Sequence, residues 1–418
     1  MRTVVIPIGL AAALLSLPAF PVPAAPATTT TLVQDDPTGT LTLDAALALA
    51  LSRNHTLSAA RHELDATEGE IMQARTIPNP EVAYQMEDTR KSSRTTTAQL
   101  NLPIELGGKR SAWIGAAQKS RELAQAQLGT TEASLRAAVI GGFFQVLVAQ
   151  ERVRLGESAV QIATRGAEVA ARRVAAGKVS PVEQTKAEVE RANAGLELAD
   201  ASAALAVARQ SLASLWGSTT PRFAEASGDL EALPSRPVPD ALDEALDTAP
   251  ELQASQREME RRQAVINVER SRQYPDVTVS VGAKRENASD RGYYPVLGIS
   301  LPLPLFDRNQ GNLYSAIRQA DKATDEYRAT RVRVASDLRQ ASSQLALSRS
   351  TAQTLRQTVL PAAQQAYLAA TQGFEAGKFA YLEVLDAQRT LLQARVRYLG
   401  AVAATYQAAT AIDRMLGR

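Results

Sequence analysis

The chain has 418 residues, enough for two or three domains of ordinary size, and its formal net charge is +2. Such a balanced charge provides no basic surface for nucleic acid, so no nucleic acid partner is expected. The chain contains no cysteine, which excludes disulfides and lipid attachment to an N-terminal cysteine. Only 5% of the residues are aromatic, which favours closely packed, alanine-rich helices over a large globular core.

The N-terminal segment is typical of an export signal. Arg2 precedes an apolar run, Val4–Leu17, and a small-residue cleavage motif follows at Ala25–Ala27. The apolar run is shorter than the roughly 20 residues that a membrane-spanning helix needs. We therefore predict a signal peptide at residues 1–27 and a Thr/Pro linker at residues 28–40.

The remainder of the chain is a tandem duplication. Three pairs of segments correspond between the two copies: Asn79-Pro80-Glu81-Val82 with Tyr274-Pro275-Asp276-Val277, Leu102-Pro103 with Leu301-Pro302, and Ala176-Gly177-Lys178 with Ala376-Gly377-Lys378. Repeats of this kind share a core, because one copy cannot bury its apolar face alone. We predict a first repeat at residues 41–216, a linker at 217–240 and a second repeat at 241–416.

Each repeat begins with helices and continues with two strands. In the first repeat, helices are predicted from Thr42 and over Thr56–Thr76, where prolines follow. Residues that alternate between apolar and polar then predict a strand hairpin in each repeat. The predicted strands are Glu81–Met86 and Thr96–Leu102 in the first repeat, and Val277–Val281 and Leu297–Leu301 in the second.

A long helix and a returning helix complete each repeat. The long helices are predicted at Gly108–Ala176 and Asn309–Ala376, and each would extend on the order of 100 Å. Apolar and small residues recur in them with the heptad spacing of a coiled coil. The second long helix carries two adjacent seams, which favours a tube of helices over a simple pair. After the Ala-Gly-Lys turns, the returning helices are predicted at Ser180–Leu215 and Phe379–Leu416.

Each strand hairpin has an apolar face, and the sequence contains no other element that is expected to cover it. An isolated two-stranded hairpin is marginally stable in water, whereas alternating strands with aromatic ends suit an outer-membrane β-barrel. A soluble sheet packed on helices is the alternative interpretation. Because a membrane barrel needs at least about 8 strands, four strands per chain require an oligomer, and three copies would supply twelve.

These residues resemble the TolC family of outer-membrane efflux channels over about Leu41–Leu416. The resemblance depends on the duplicated layout, the two Ala-Gly-Lys turns, and the stretches Leu102–Arg110 and Leu301–Phe306. It implies a mainly α fold with a membrane β-barrel: a homotrimer whose twelve-stranded barrel lies in outer-membrane lipid and continues into a periplasmic α-helical barrel. The implied partners are a periplasmic membrane-fusion adaptor and an inner-membrane pump of the RND type. The stretch Leu-Gly-Gly-Lys-Arg is most similar to the metal-exporting branch.

The resemblance also implies an adaptor-docking tip at the periplasmic end. Its residues would be those of the two turns, Gly177, Lys178, Gly377 and Lys378. Glycine supplies the positive φ that a tight helix reversal needs, so a purely structural role is equally open.

Acidic residues just inside the tip are implied to line a periplasmic gate: Glu383, Asp386 and the first-repeat counterpart Glu183. Glu383 and Asp386 are three residues apart and share a helix face, so a trimer would carry stacked acidic rings that favour cations. Ordinary solvated acids are the alternative. Phe379 occupies the place of the basic residue that ties the closed tip in the family, which puts a salt-bridge latch in doubt.

An enzyme is not expected, and neither is a cofactor or a bound metal. The two histidines, His55 and His62, are seven residues apart on one predicted helix, and no phosphate loop, nucleophile elbow or metalloprotease motif occurs. The sequence therefore predicts a passive outer-membrane exit duct of a tripartite efflux system. Metal cations are among the substrates considered. The exit duct of a type I protein secretion system is one alternative, and a soluble periplasmic coiled-coil scaffold or adaptor is another.

Overall fold

A computed structural model describes residues 37–88, 90, 92–236, 246–286 and 293–418. The predicted signal peptide and most of the linker that follows it lie outside the described residues. The end of the linker between the repeats, residues 237–240, also lies outside them.

The elements follow the predicted order. The first repeat contains β1 (Thr40–Leu41), α1 (Leu43–Arg53), α2 (His55–Arg75), β2 (Glu81–Glu87), β3 (Thr95–Ile104), α3 (Lys109–Ala175) and α4 (Pro181–Ser214), and β4 (Glu225–Ala226) follows. The second repeat contains α5 (Pro250–Ser271), β5 (Val277–Glu286), β6 (Tyr293–Ser300), α6 (Gln310–Thr354), a π-helical turn (Leu355–Val359), α7 (Leu360–Glu375) and α8 (Tyr381–Leu416). The short helix expected at the start of the second repeat falls mainly on residues outside those described.

The strand hairpins of the two repeats form one antiparallel sheet, in the order β2-β3-β5-β6. The first repeat joins the second through β3 and β5, with Leu102 opposite Val279. One face of the sheet carries apolar side chains that are open to the surroundings, including Tyr84 at 65% exposure and Ile299 at 78%. The predicted strands are therefore confirmed, and no helix of the described chain covers this face.

The first long helix, α3, is continuous and ends within one residue of its predicted bounds. Val139 and Val146, which are one heptad apart, are completely buried, and Ala163 and Ala170, also one heptad apart, are buried as well. One stretch of α3 is long and apolar enough to cross a membrane, but half of it is buried within the protomer. Since α3 packs against α2, α4, α5 and α8, this stretch is explained as a core helix.

The second long helix covers the predicted range Asn309–Ala376, but it contains a π-helical turn and is therefore not α-helical throughout. The π-helical turn at Leu355–Val359 separates α6 from α7. Pro361 lies at the start of α7 and has no N–H to donate to the preceding turn. A π-helical turn accommodates such a missing hydrogen bond. The first repeat has no proline at the corresponding level, which accounts for the unbroken α3.

The segment between the repeats is packed around the middle of the helices over its described residues, 217–236. β4 pairs in parallel with β1, and the buried side chain of Gln150 accepts from the amide of Ala226 at 2.8 Å and donates to its carbonyl at 3.0 Å. The Arg236 guanidinium donates through Nε to the buried carboxylate of Asp413 at 2.6 Å. These contacts attach residues 217–236 to both repeats, and the helix hairpins extend beyond this segment.

Candidate functional site at the helix-hairpin tip

Two helix hairpins end in turns of the same geometry. We call α3 and α4 the first hairpin, and α7 and α8 the second hairpin. Gly177 has φ +67° and Gly377 has φ +74°, the left-handed region that glycine enters without steric cost. In each turn the glycine amide donates to the carbonyl three residues back, and the following lysine amide donates to the carbonyl five residues back, at 2.8 to 3.0 Å. This is the Schellman motif, so the repeated Ala-Gly-Lys sequence has a direct structural cause.

The lysine side chains of the two turns take no part in the hydrogen bonds that form the turns. Lys178 and Lys378 take part in the turns through their amides only, and both residues are exposed. A Cβ added at Gly177 or Gly377 would meet no atom within 4 Å. The predicted docking residues therefore lie together at the outermost end of the hairpins, on a surface that the protomer leaves open.

The predicted gate residues lie just inside the turns, at the starts of the returning helices. Glu183 and Glu383 are the first-turn acids of α4 and α8, where a carboxylate interacts favourably with the helix dipole. Ser180 caps α4 through its hydroxyl, which accepts from the Val182 amide at 3.3 Å. Glu383 and Asp386 are exposed, and the described part of the protomer shows no ion pair for either. Helix stabilisation thus explains the two first-turn acids in part, whereas Asp386 has no such explanation.

A contact between the hairpins was missed by the sequence reasoning. The Arg173 guanidinium lies over the ring of Phe374, 3.7 Å from its centroid, and Nη2 donates to the Phe374 carbonyl oxygen at 3.2 Å. Phe374 is buried and contacts Tyr381, with ring centroids 5.4 Å apart. Arg173 therefore links the end of α3 to the end of α7.

Two further contacts strengthen this link. The hydroxyl of Tyr381 lies where a side chain at Gly166 would be, so a glycine on α3 makes room for a tyrosine of α8. Burial raises the pKa of Tyr381, with a smaller contribution from Tyr367. Arg389 of α8 forms an ion pair with Glu190 of α4, whose side chain is only 17% exposed. This ion pair does not involve position 379, where Phe379 makes the family's salt-bridge latch doubtful, and it joins the two hairpins at another level.

The tip has its own core beneath these contacts. It combines buried residues of all four helices: Ala167, Ala170, Ala187, Ala370, Phe374, Tyr381, Val384 and Leu385. Aligning the two repeats would have given the signal, since Arg173 corresponds to Gly373 and Gly166 to Ala366. At both positions the two repeats carry residues of different size.

The stretch Leu-Gly-Gly-Lys-Arg lies at the opposite end, where the sheet meets the helices. Lys109 is buried and donates to Asp276 at 2.6 Å, and the Leu106 amide donates to the same carboxylate oxygen at 3.2 Å. Gly107 has φ +71°, and a Cβ there would overlap the side chain of Tyr274. The stretch therefore joins the two repeats at the sheet.

Metal binding has no preformed cage in the described chain. Among those residues, no three His, Cys, Asp or Glu side chains come together in an arrangement that could hold an ion. The two predicted-helix histidines, His55 and His62, both belong to α2.

The outer membrane efflux protein family matches the chain twice, over residues 46–218 and 241–418. The chain is 61% identical to the cobalt-zinc-cadmium resistance protein CzcC of Cupriavidus metallidurans, over the full length of both chains. It is 34% identical over 237 residues to the nickel and cobalt resistance protein CnrC of the same species, covering 56% of this chain and 54% of that one. A crystal structure of CusC, a protein that forms a transmembrane channel, superposes with a TM-score of 0.77 at 17% identity, covering 90% of this chain and 91% of that one.

The fold and the open-faced sheet define the protomer of a TolC-like channel. The chain belongs to the outer membrane efflux protein family. It is an outer-membrane efflux channel with a large helical part in the periplasm, and the predicted resemblance, including its metal-exporting branch, is confirmed. The family is one of transport proteins, so the alternative of a soluble periplasmic scaffold is wrong.

Proposed function

We propose that three copies of the chain form the passive exit duct of a tripartite efflux system for divalent metal cations. The observation that carries the proposal is the four-stranded sheet, which has an uncovered apolar face and an outer strand at each side. Three such sheets supply twelve strands, enough to close a membrane barrel whose apolar face meets lipid. The helix hairpins would continue this barrel as a tube into the periplasm.

The proposed substrate class follows from the relatives. CzcC is named for resistance to cobalt, zinc and cadmium, and CnrC for resistance to nickel and cobalt. A periplasmic adaptor and an inner-membrane pump would deliver the ion and supply the energy. No observation favours the alternative of a protein secretion duct.

We infer a gate at the tip, built from two sets of residues. Glu183, Glu383 and Asp386 would line the entrance in a trimer, where acidic rings raise the local concentration of cations. The contacts of Arg173 with Phe374 and of Arg389 with Glu190 join the two hairpins, so the entrance would widen only when these contacts break. The exposed turns, which carry Gly177, Lys178, Gly377 and Lys378, would receive the adaptor.

The division of the chain completes the proposal. Residues 1–27 would direct export and be removed, and residues 28–40 would lead into the first repeat at 41–216. The segment 217–240 would join it to the second repeat at 241–416. The contacts of residues 217–236 with both repeats support a structural role for that joining segment.

Deletion of the gene, with complementation by the wild-type chain, tests the proposal. Loss of the channel should lower tolerance to zinc, cobalt and cadmium salts and raise their cellular content, and the purified protein should be a trimer that requires detergent. Unchanged tolerance together with loss of a secreted protein would favour the secretion duct. A monomer in the outer-membrane fraction would contradict the trimer.

A further inference from the structure

The outer strands of the sheet, β2 and β6, each lack a neighbour on one side within the described residues. Such edges present unpaired N–H and C=O groups to another chain. In the trimer proposed above, on which this inference rests, β6 of one copy must pair with β2 of the next. The duplicated sequence provides a template for that pairing, because β3 and β5 already join one repeat to the other.

The template is the seam between β3 and β5. On its apolar face, the opposed pairs are Leu100 with Val281, Leu102 with Val279, and Ile104 with Val277. On its polar face, Asn101 lies opposite Ser280, whose hydroxyl donates to the Asn101 side chain at 2.8 Å. The seam therefore sorts apolar and polar side chains to opposite faces.

The two outer strands are the repeat counterparts of these two inner strands. Leu301-Pro302 directly after β6 corresponds to Leu102-Pro103 in β3, and Pro80 before β2 corresponds to Pro275 before β5. The seam between copies is thus the repeat-related equivalent of the seam within one copy. The register of the seam between copies is obtained by replacing each residue of the β3–β5 seam with its counterpart in the other repeat.

We propose that Leu301 pairs with Tyr84 of the partner subunit and that the strands of all three seams share this register. The same substitution sets Leu303 opposite Val82 of the partner subunit, Ile299 opposite Met86 of the partner subunit, and Ser300 opposite Gln85 of the partner subunit.

The side chains restrict the possible registers to those that keep apolar residues on one face. Leu301, Ile299, Tyr84 and Met86 are between 47% and 78% exposed in the protomer. The register sets every one of them beside an apolar partner on the lipid-facing side. A slip of one residue would place Leu301 opposite a residue of the other face, because side chains alternate along a strand.

The junction below the seam agrees with the same relation. Asp276, which holds Lys109 within one copy, corresponds to Glu81, which is exposed in the protomer. Gln310 takes the place of Lys109 in the second repeat, and Arg308 lies exposed two residues before it. The same relation places Gln310 of one copy near Glu81 of the partner subunit, with the positive charge of Arg308 two residues away in the chain.

Cysteine cross-linking tests the register directly, because the native chain contains no cysteine. The variant L301C/Y84C carries the proposed pair, and L301C/V82C is a matched control displaced by two residues on the same face. Directly opposed Cβ atoms are about 4.5–5.5 Å apart, within about 1 Å of the 3.5–4.5 Å that a disulfide requires, whereas diagonal ones are roughly 7 Å apart and out of reach. Each full-length variant is oxidised with copper phenanthroline in outer membranes and separated on denaturing gels without reductant.

The proposed register is supported if L301C/Y84C yields covalent trimers that reductant dissolves, and the control remains monomeric. It is overturned if the control cross-links instead, or if neither variant cross-links although light scattering in detergent shows trimers. A wild-type protein that is monomeric in detergent and in chemically cross-linked membranes would overturn the trimeric channel itself.

Discussion

Replacing Arg173 with alanine removes the link between the ends of α3 and α7. The guanidinium lies 3.7 Å from the Phe374 ring centroid, and a cation–π contact at a partly buried site contributes about 1 kcal/mol. The hydrogen bond to the Phe374 carbonyl, 3.2 Å long, adds about 1 kcal/mol. If opening breaks both contacts, the substitution favours the open tip by about 2 kcal/mol per protomer, which is roughly a 30-fold change in the open-to-closed ratio.

Planar bilayer recordings and amide hydrogen exchange would measure this effect. R173A should raise the mean conductance of the purified channel and speed the exchange of backbone amides at the end of α7. R172A is the matched control, because Arg172 is an exposed arginine in the same helical turn. R173K should restore little, since an ammonium lacks the planar fork that both stacks and donates. Equal conductance and equal exchange in R173A and R172A would refute the proposed link.

Three further outcomes are expected. The double variant E383A/D386A should raise conductance and weaken cation selectivity in planar bilayers, and wild-type values for both would contradict the acidic gate. The double variant K178E/K378E should leave the thermal stability unchanged, because only the lysine amides build the turns, but should lower adaptor binding in a pull-down; undiminished binding would leave the turns with a structural role alone. Burial acts to raise the pKa of Glu260, but hydrogen bonds from Lys119 and Arg257 outweigh it, so the pKa in the folded protein is lowered. The carboxylate therefore stabilises the fold at a pH above about 4.3, the ordinary glutamate pKa of an unfolded chain. This contribution is lost as the pH falls through the lower pKa of the folded protein. E260Q should therefore flatten the acid side of the stability profile relative to E132Q, and identical profiles would count against this carboxylate.

Regular features of the fold could be predicted because each has a local cause in the sequence. Strand alternation gave the four strands, and the Ala-Gly-Lys turns gave the hairpin ends to within a few residues. The π-helical turn in the second long helix was also encoded, since Pro361 lacks the N–H that an α-helix would use there, but the heptad pattern runs through the turn and conceals it. A periodic pattern reports which face is buried, and it does not report whether every backbone donor is present.

The contacts of the tip could not be predicted in the same way. Arg173 and Phe374 are 201 residues apart, and nothing in either local sequence indicates that their helices meet. The acids Glu383 and Asp386 were found through resemblance, and the structure adds their exposure and the helix-dipole explanation for Glu383. Contacts between helices depend on the rotation of each helix about its axis, which small differences in seam residues decide.

Divergence between the repeats explains how the two hairpins fit each other at the tip. Two identical hairpins would present the same residues at the same level. Large side chains would then meet large ones, and glycines would meet glycines. Here Tyr381 replaces a proline of the first repeat and enters the space left by Gly166, while Arg173 replaces a glycine of the second repeat and covers Phe374. Each exchange is useful only with the other hairpin in place. The tip contacts therefore depend on differences between the two copies, whereas the Schellman turns, which depend on one hairpin alone, are the same in both.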